Sequence, residues 1–458
     1  LINGAINLKI LCGYNANIDS IYSIKGLEIN ELLSLFQKKE VTDSLSNLPG
    51  SISSVPDFIA GLISCMETGS GGEWMILDRS VYIWLKKRYF QRSLLRMGGN
   101  MGIMANVLSQ LGASEVIPNV VNPSKMQMSF FSKIAIFLPS LVYSSGDKEG
   151  AGSSAALQDF DEDPIHFVFD FKKGESFNLY GREIQIPREN RFIATYDPLN
   201  SRLQINNEFA DYAKSHIKGM DGALISGFHM LQKTYPDGSS YVDKLDNVCQ
   251  QLRIWKELNS DFHIHVELGH FSMSELAVSV FSSIATLADS IGMNEDELAT
   301  LSSIHGLDAA SIAKMDSSVI LEASGNLCDI SGLKRIFVHT RDFVISVSKP
   351  TMDYHKEVES LRFGVSCAAA FAATGKLDNR DLVMKVALKI DESEYGRQQV
   401  NKISEILALH EDGVACGKFK GYSVCAIPTL ICSEPVSTVG LGDTVSAATF
   451  LRRLELGA

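Results

Sequence analysis

No CxxC pair, no P-loop of the form GxxxxGK[ST] and no run of about 18 apolar residues occurs in this sequence, and each absence closes off a class of protein. Without closely spaced cysteines, a structural zinc site or disulfide framework is not expected, and the eight scattered cysteines read as reduced thiols. Histidines 263, 265 and 270 do not change this, because 263 and 265 share a strand face and no spaced His or Cys completes a tetrahedral set. Lacking a long apolar run, a basic start and a signal-like stretch, the chain is expected to be cytoplasmic, neither secreted nor membrane-spanning. No GxGxxG follows the first apolar segment and no acidic residue stands about 20 positions on, which argues against a dinucleotide-dependent oxidoreductase. Positive charge is also short: 42 Lys and Arg face 54 Asp and Glu, a formal net charge of −12. That balance excludes an extended nucleic-acid surface, whose affinity comes from neutralising backbone phosphates, so an anionic ligand must meet a local basic pocket.

What the sequence does have is 458 residues, 45% of them hydrophobic, enough for a large core and more than one lobe. Apolar runs at 8–12, 222–226, 262–266 and 335–339 read as buried strands, each followed by helical periodicity, the pattern of a mostly parallel sheet covered by helices. Residues 97–111 and 445–454 read as helices that open on Gly-rich turns. From about 163 to 205 the alternation breaks into short strands at 166–171 and 191–196, a separate β-rich lobe, preceded by a Ser-, Gly- and acid-rich connection at 144–163. The large domain is expected at about 1–17, 40–162 and 206–458, and the small one at about 18–39 and 163–205.

The strongest chemical signal is Val439-Gly440-Leu441-Gly442-Asp443, between an apolar segment and a small-residue helix. Glycines there let backbone N–H groups at a helix N-terminus face a developing phosphoryl charge, while Asp443 orients and deprotonates an attacking hydroxyl. A plain strand-to-helix turn with Asp443 as its cap is the simpler alternative. Two acidic motifs, His265-Val266-Glu267 and Asn294-Glu295-Asp296-Glu297, offer Glu267 and Glu297 to a water-bound magnesium ion. A strand-end salt bridge and a solvated helix start are their bland counterparts. Asn15-Ala16-Asn17-Ile18-Asp19 and Gly98-Gly99-Asn100 put amide and carboxylate groups at strand ends, where open α/β sheets bind ligands.

In this order the motifs resemble those of the archaeal ADP-dependent sugar kinases, the glucokinases and phosphofructokinases within the ribokinase-like superfamily. The likeness runs through nearly the whole chain and includes Pro187-Arg188-Glu189-Asn190-Arg191 and Asp289-Ser290-Ile291-Gly292-Met293-Asn294-Glu295. It implies an α/β fold, with a ribokinase-like doubly wound large domain and a small β-rich lid. It implies ADP as donor, AMP as product and Mg2+ as cofactor. By the same likeness Asp443 is the base, Gly440, Leu441 and Gly442 form the anion hole, and Glu267 and Glu297 organise the metal. Asn17, Asp19, Gly99 and Asn100 become sugar contacts, and Val424, Ile427, Pro428, Val436 and Val439 an apolar nucleotide wall.

Fructose 6-phosphate carries a remote dianion and needs cationic donors; Lys173 and Arg191 are similar in context to the family's 6-phosphate contacts. Glucose-using members place a glutamate against the sugar. Aligned without a gap, Gly72 takes that place here and points to fructose 6-phosphate, whereas a shift of one residue brings in Glu73. The reading is therefore an ADP-dependent 6-phosphofructokinase, with glucokinase or dual activity as the alternative. An ATP-dependent ribokinase-like kinase and a non-catalytic sugar- or nucleotide-binding protein are the more distant ones.

Overall fold

The structure is a computed structural model that describes residues 7–141, 163–407 and 413–457. The connection expected at 144–163 lies almost wholly outside the described residues. In chain order the strands are β1 (Lys9–Gly13), β2 (Asn17–Ser23), β3 (Gly72–Met75), β4 (Leu94–Gly98), β5 (Glu115–Pro118), β6 (Ile165–Phe171), β7 (Ser176–Leu179) and β8 (Arg182–Gln185). They continue as β9 (Asn190–Tyr196), β10 (Gly222–Ile225), β11 (His263–Glu267), β12 (Ser290–Met293), β13 (Arg335–His339), β14 (Phe343–Ser348), β15 (Ala415–Phe419) and β16 (Tyr422–Pro428). Among the described residues no helix is long and apolar enough to cross a membrane.

The described residues fall into two compact units, one made of those within Leu1–Ala16, Asn100–Gln158 and Leu199–Ala458, the other of those within Asn17–Gly99 and Asp159–Pro198. The first is built on a nine-stranded sheet of order β15-β16-β14-β13-β12-β11-β10-β1-β5. From β5 to β13 every neighbouring pair is parallel, whereas β14, β15 and β16 join antiparallel. The parallel strands are short and several are apolar on both faces, such as Ala223, Leu224 and Ile225 or Ile336, Phe337 and Val338, because helices cover both sides. Helices do not follow every strand, contrary to expectation: β1 runs on to β2 and β13 turns directly into β14.

The second unit holds a five-stranded sheet of order β3-β9-β6-β2-β4 and the small ribbon β7-β8. Strand alternation divides the larger sheet chemically. Phe167, Phe169, Phe171 and Phe192 are buried on one face, where the helices Val55–Thr68 and Arg79–Tyr89 bring in Phe58, Tyr82 and Tyr89. Each such ring contributes roughly 1.5–3 kcal/mol by burial. The opposite face carries the polar set Asn17, Asp19, Arg96, His166, Asp170, Arg191, Thr195 and Glu73, fixed by the register of β2 with β4 and β6 and of β9 with β6 and β3.

Several boundaries differ from the sequence reading, Asn17 among them, which belongs to the second unit. Residues 40–99 belong to the second unit and not the large domain, because β3 and β4 hydrogen-bond into its sheet. Residues 199–205 belong to the first. The helix expected from residue 97 begins at Asn100, because Met97 and Gly98 still pair with β2.

Candidate active site

In the first unit the chemistry gathers at the C-terminal edge of the parallel strands, where such sheets bind ligands. The helix Leu441–Leu456 is capped by Gly440, whose φ of 79° and whose approach to Ile103, 3.2 Å from where a Cβ would stand, require glycine. Asp443 therefore lies in the first turn and is not the cap. It is buried, and its Oδ1 accepts a hydrogen bond of 2.7 Å from Asn100 Nδ2. Asn100 opens its own helix, Asn100–Gln110, and its Oδ1 accepts in turn from Asn15 Nδ2 at 3.4 Å. Asn15 is oriented by two donors to its Oδ1, the Met101 backbone N–H and the Ser226 hydroxyl. The chain Asn15, Asn100, Asp443 thus fixes which way each amide points and holds the Oδ1 of Asp443 in place.

Glu267 ends β11 and is buried. It accepts from His339 Nε2 at 2.5 Å and from His265 Nε2 at 3.3 Å, and His265 Nδ1 lies 2.6 Å from the Ser290 hydroxyl. Burial works against the Glu267 carboxylate, but the two imidazoles hold it well below the usual range, and the same pairing raises His339. The His339 ring packs against Gly442, with Cε1 3.1 Å from where a Cβ would stand, so the acidic motif and the Gly-rich turn touch through this histidine. Glu297 sits at the third position of the helix Glu295–Ile304 and closes a capping box with Asn294. It is buried, not the solvated helix start of the simpler reading, and burial, then the charges of Glu267 and Asp443, push it up to about 7.

Among the described residues no three acidic, imidazole or thiol groups converge as a direct metal cage. The oxygen donors Glu267 and Glu297 nevertheless fit a magnesium ion that keeps its waters, because a nearby dication offsets the burial, and then the like charges, that raise Glu297.

The apolar residues expected to form one wall divide. Ile427 and Pro428 line a cavity of about 340 Å³ together with Val365, Ser366, Met384 and Leu430. Val424 does not: strand alternation turns it to the face opposite Ile427, into the main core with Val347 and Ala426. Val436 stands 70% exposed and Val439 is half-buried.

In the second unit Asn17 Nδ2 donates to Asp19 Oδ1 at 2.9 Å, and Arg96 Nε lies 3.8 Å from Asp19 Oδ2. Gly98, beside Gly99, leaves room for this pair: a Cβ on Gly98 would stand 2.0 Å from Asp19 Oδ1. Burial raises Asp19 above the ordinary carboxylate range, against the pull of His166, Arg96 and Asn17. Asn17 Oδ1 and two nitrogens of Arg96 are buried without a hydrogen-bond partner among the described residues. Spare acceptors and donors on one polar face are what a polyhydroxylated ligand satisfies.

His166 Nε2 lies 3.4 Å from Asp197 and its Nδ1 3.8 Å from Glu73 Oε1, which also accepts from the Thr195 hydroxyl at 2.6 Å. Gly72, expected to face the sugar, points the other way: a Cβ there would meet Cys65 Sγ at 2.9 Å on the helix-covered face. Alternation along β3 makes Glu73 the residue on the polar face. Arg191 Nε lies 3.6 Å from Asp170 on the same face, while Lys173 is exposed in the turn after β6. His339, Arg96 and His166 were not singled out by the sequence, and Asn15 only as a member of the motif 15–19. Each is a lone polar residue at or near a strand end, and only the pairing of the strands shows its neighbours.

Comparison with known proteins gives a consistent picture. The family model described as the ADP-specific phosphofructokinase/glucokinase conserved region matches residues 8–452. The chain is 30% identical over 457 residues to the ADP-specific phosphofructokinase of Pyrococcus abyssi (strain GE5 / Orsay), covering 97% of each. It is 28% identical to the ADP-dependent glucose/glucosamine kinase of Pyrococcus furiosus, covering 96% of this chain and 93% of that one. A crystal structure of a phosphofructokinase from Pyrococcus horikoshii OT3 with AMP superposes with a TM-score of 0.82 at 27% identity, covering 98% of both chains.

Proposed function

The chain belongs to the ADP-specific phosphofructokinase/glucokinase family, and from that premise we propose that it transfers the β-phosphoryl group of ADP to fructose 6-phosphate, giving fructose 1,6-bisphosphate and AMP. The observation that carries the chemistry is the hydrogen bond from Asn100 to Asp443 in the first turn of a glycine-capped helix. Asp443 takes the proton of the sugar hydroxyl as the new O–P bond forms, and Asn100 keeps the carboxylate aimed. The backbone N–H groups of Leu441 and Gly442, free of helical partners at the N-terminus, receive the charge of the transferring group, which then leaves AMP behind.

Glu267 and Glu297 are the residues that would hold Mg2+ through its waters; when bound, it neutralises the diphosphate oxygens. His339 keeps Glu267 ionised and in place, a positioning role. The cavity beside Ile427 and Pro428 is assigned to the adenine of ADP, its apolar lining suited to a flat base. Asn17, Asp19 and Arg96 are assigned to the sugar, since Asn17 and Arg96 hold the unpaired buried acceptor and donors and both adjoin Asp19. Arg191 and Lys173 are assigned to the 6-phosphate.

One observation favours a second acceptor. Glu73, and not Gly72, faces the polar side of the lobe beside His166 and Thr195, where a carboxylate can accept from a sugar hydroxyl. Glucose is therefore the expected alternative substrate. Steady-state AMP formation with ADP and each sugar in turn tests both statements: turnover with fructose 6-phosphate supports the main reading, and turnover with glucose alone would replace it.

A further inference from the structure

At the N-terminal edge of the large sheet, among the first residues of β11, β12 and β13, lies a cavity of about 320 Å³ in which positive charge is not balanced. It is well away from the reaction centre: β11 runs from His263 at the cavity to Glu267, and β13 from Arg335 at the cavity to His339, each spanning about 13 Å. Its wall holds a buried Arg335, whose Nε and Nη2 both reach Glu357 Oε1, at 3.0 and 2.7 Å. The other oxygen of Glu357 pairs with Arg453, so two guanidinium groups share one fully buried carboxylate. A second shared carboxylate sits at the rim, where Asp289 takes both Lys256 at 2.7 Å and Lys334 at 2.5 Å. Lys349, also on the rim, is exposed, and its hydrogen bonds are made by its backbone, which pairs with Lys334 and Ser348, while its ammonium has no ion-pair partner among the described residues. The remaining acid, Asp353, is spent on the helix Tyr354–Thr374, accepting from the Lys356 backbone N–H.

Four cationic side chains, Lys334, Arg335, Lys349 and Arg453, thus line the cavity against three carboxylates, and one of these, Asp289, is also taken by Lys256 from outside the lining, in a chain of formal net charge −12. Burial, and then the like charge of Arg335, hold Arg453 well below the ordinary guanidinium range, the response of a cation lacking a full counter-charge. Guanidinium groups beside a free ammonium are suited to the oxygens of a phosphate, which arginine binds with paired hydrogen bonds. The volume lies at the small end of small-molecule sites and exceeds what a lone oxyanion needs.

We propose that this cavity is a second ligand site, which takes a dianionic phosphate group, either free or carried on a small metabolite. Its elements are shared with the reaction centre: the helix Leu441–Leu456 carries Asp443 in its first turn and lines the cavity with Phe450, Arg453 and Leu454.

Titration calorimetry with inorganic phosphate and, separately, glycerol 2-phosphate tests the site on the full chain and on Lys349→Ala and Arg453→Gln. Lys349 is exposed, and Arg453→Gln leaves Arg335 and Glu357 as a balanced pair, so both variants are expected to fold. The expected result is saturable binding below about 1 mM that weakens at least about tenfold in each variant. Tighter binding of the ester identifies a metabolite as the natural ligand, and equal binding identifies free phosphate. Absence of saturable binding, or binding unchanged in both variants, overturns the proposal, the second outcome placing the anion elsewhere. An independent readout is Glu357→Gln, which leaves two cations unpaired: phosphate is expected to raise its melting temperature more than that of the unmodified chain. An equal or smaller rise counts against the site.

Discussion

The side-chain amide of Asn100 donates to Asp443 across 2.7 Å, and the same amide accepts from Asn15. Two residues 343 positions apart are thereby joined, and one carboxyl oxygen of Asp443 is held in a fixed direction. Asp443→Ala is expected to lower kcat by about 10²–10⁴ while nucleotide affinity stays within a few fold. Asn100→Ala, which frees the carboxylate without removing it, is expected to fall between that variant and the unmodified enzyme. Near-normal turnover in Asp443→Ala, measured by AMP formation, removes the assigned base.

Sugar choice is expected to split between two positions. Glu73→Ala loses glucose turnover by about tenfold or more and keeps that with fructose 6-phosphate within a few fold. Arg191→Ala does the reverse, raising the KM for the phosphorylated sugar alone. Parallel losses on both sugars in both variants would show that neither residue discriminates.

Gly98→Ala probes the sugar pair directly, because the added Cβ would stand 2.0 Å from Asp19 Oδ1 and 2.5 Å from Asn17 Nδ2. A higher sugar KM with an unchanged KM for ADP is expected. An unaltered sugar KM would mean that Asn17 and Asp19 do not contact it.

The imidazole of His166 gives a pH signature. Burial disfavours its charged form, but the hydrogen bond to Asp197 and the charges of Glu73, Asp197 and Asp19 outweigh it and raise it above 6.5. A raised folded value means that protonation stabilises the fold: the contribution is complete below 6.5 and is lost as pH climbs through the folded value. Comparing melting temperatures of the unmodified chain and His166→Gln, the gap is expected to shrink from mildly acidic to alkaline pH. A gap that widens over that range contradicts the assignment.

Much of this was legible in the sequence, for a physical reason in each case. Runs such as 336–338 are apolar throughout because β13 is covered on both faces, and they stand out without knowledge of partners. The turn at Gly440 shows itself because only glycine fits its backbone there. By contrast β3 has four residues and β4 ends in the Gly-Gly that looked like a helix start, so residues 40–99 were placed in the wrong unit. Gly72 and Glu73 are separated only by which face of β3 each takes, and Val424 and Ile427 by the same parity on β16. That parity is set by pairing with distant strands. Arg96, His166 and His339 are invisible for the same reason: each acquires its role from a residue on another strand.

The most direct test of the central claim is phosphorus NMR of the enzyme with Mg2+, ADP and fructose 6-phosphate, and no ATP. The account expects AMP and fructose 1,6-bisphosphate to rise together in equal amounts as ADP falls. Phosphoryl transfer that starts only when ATP is supplied, or AMP appearing with free phosphate and no sugar bisphosphate, would contradict it.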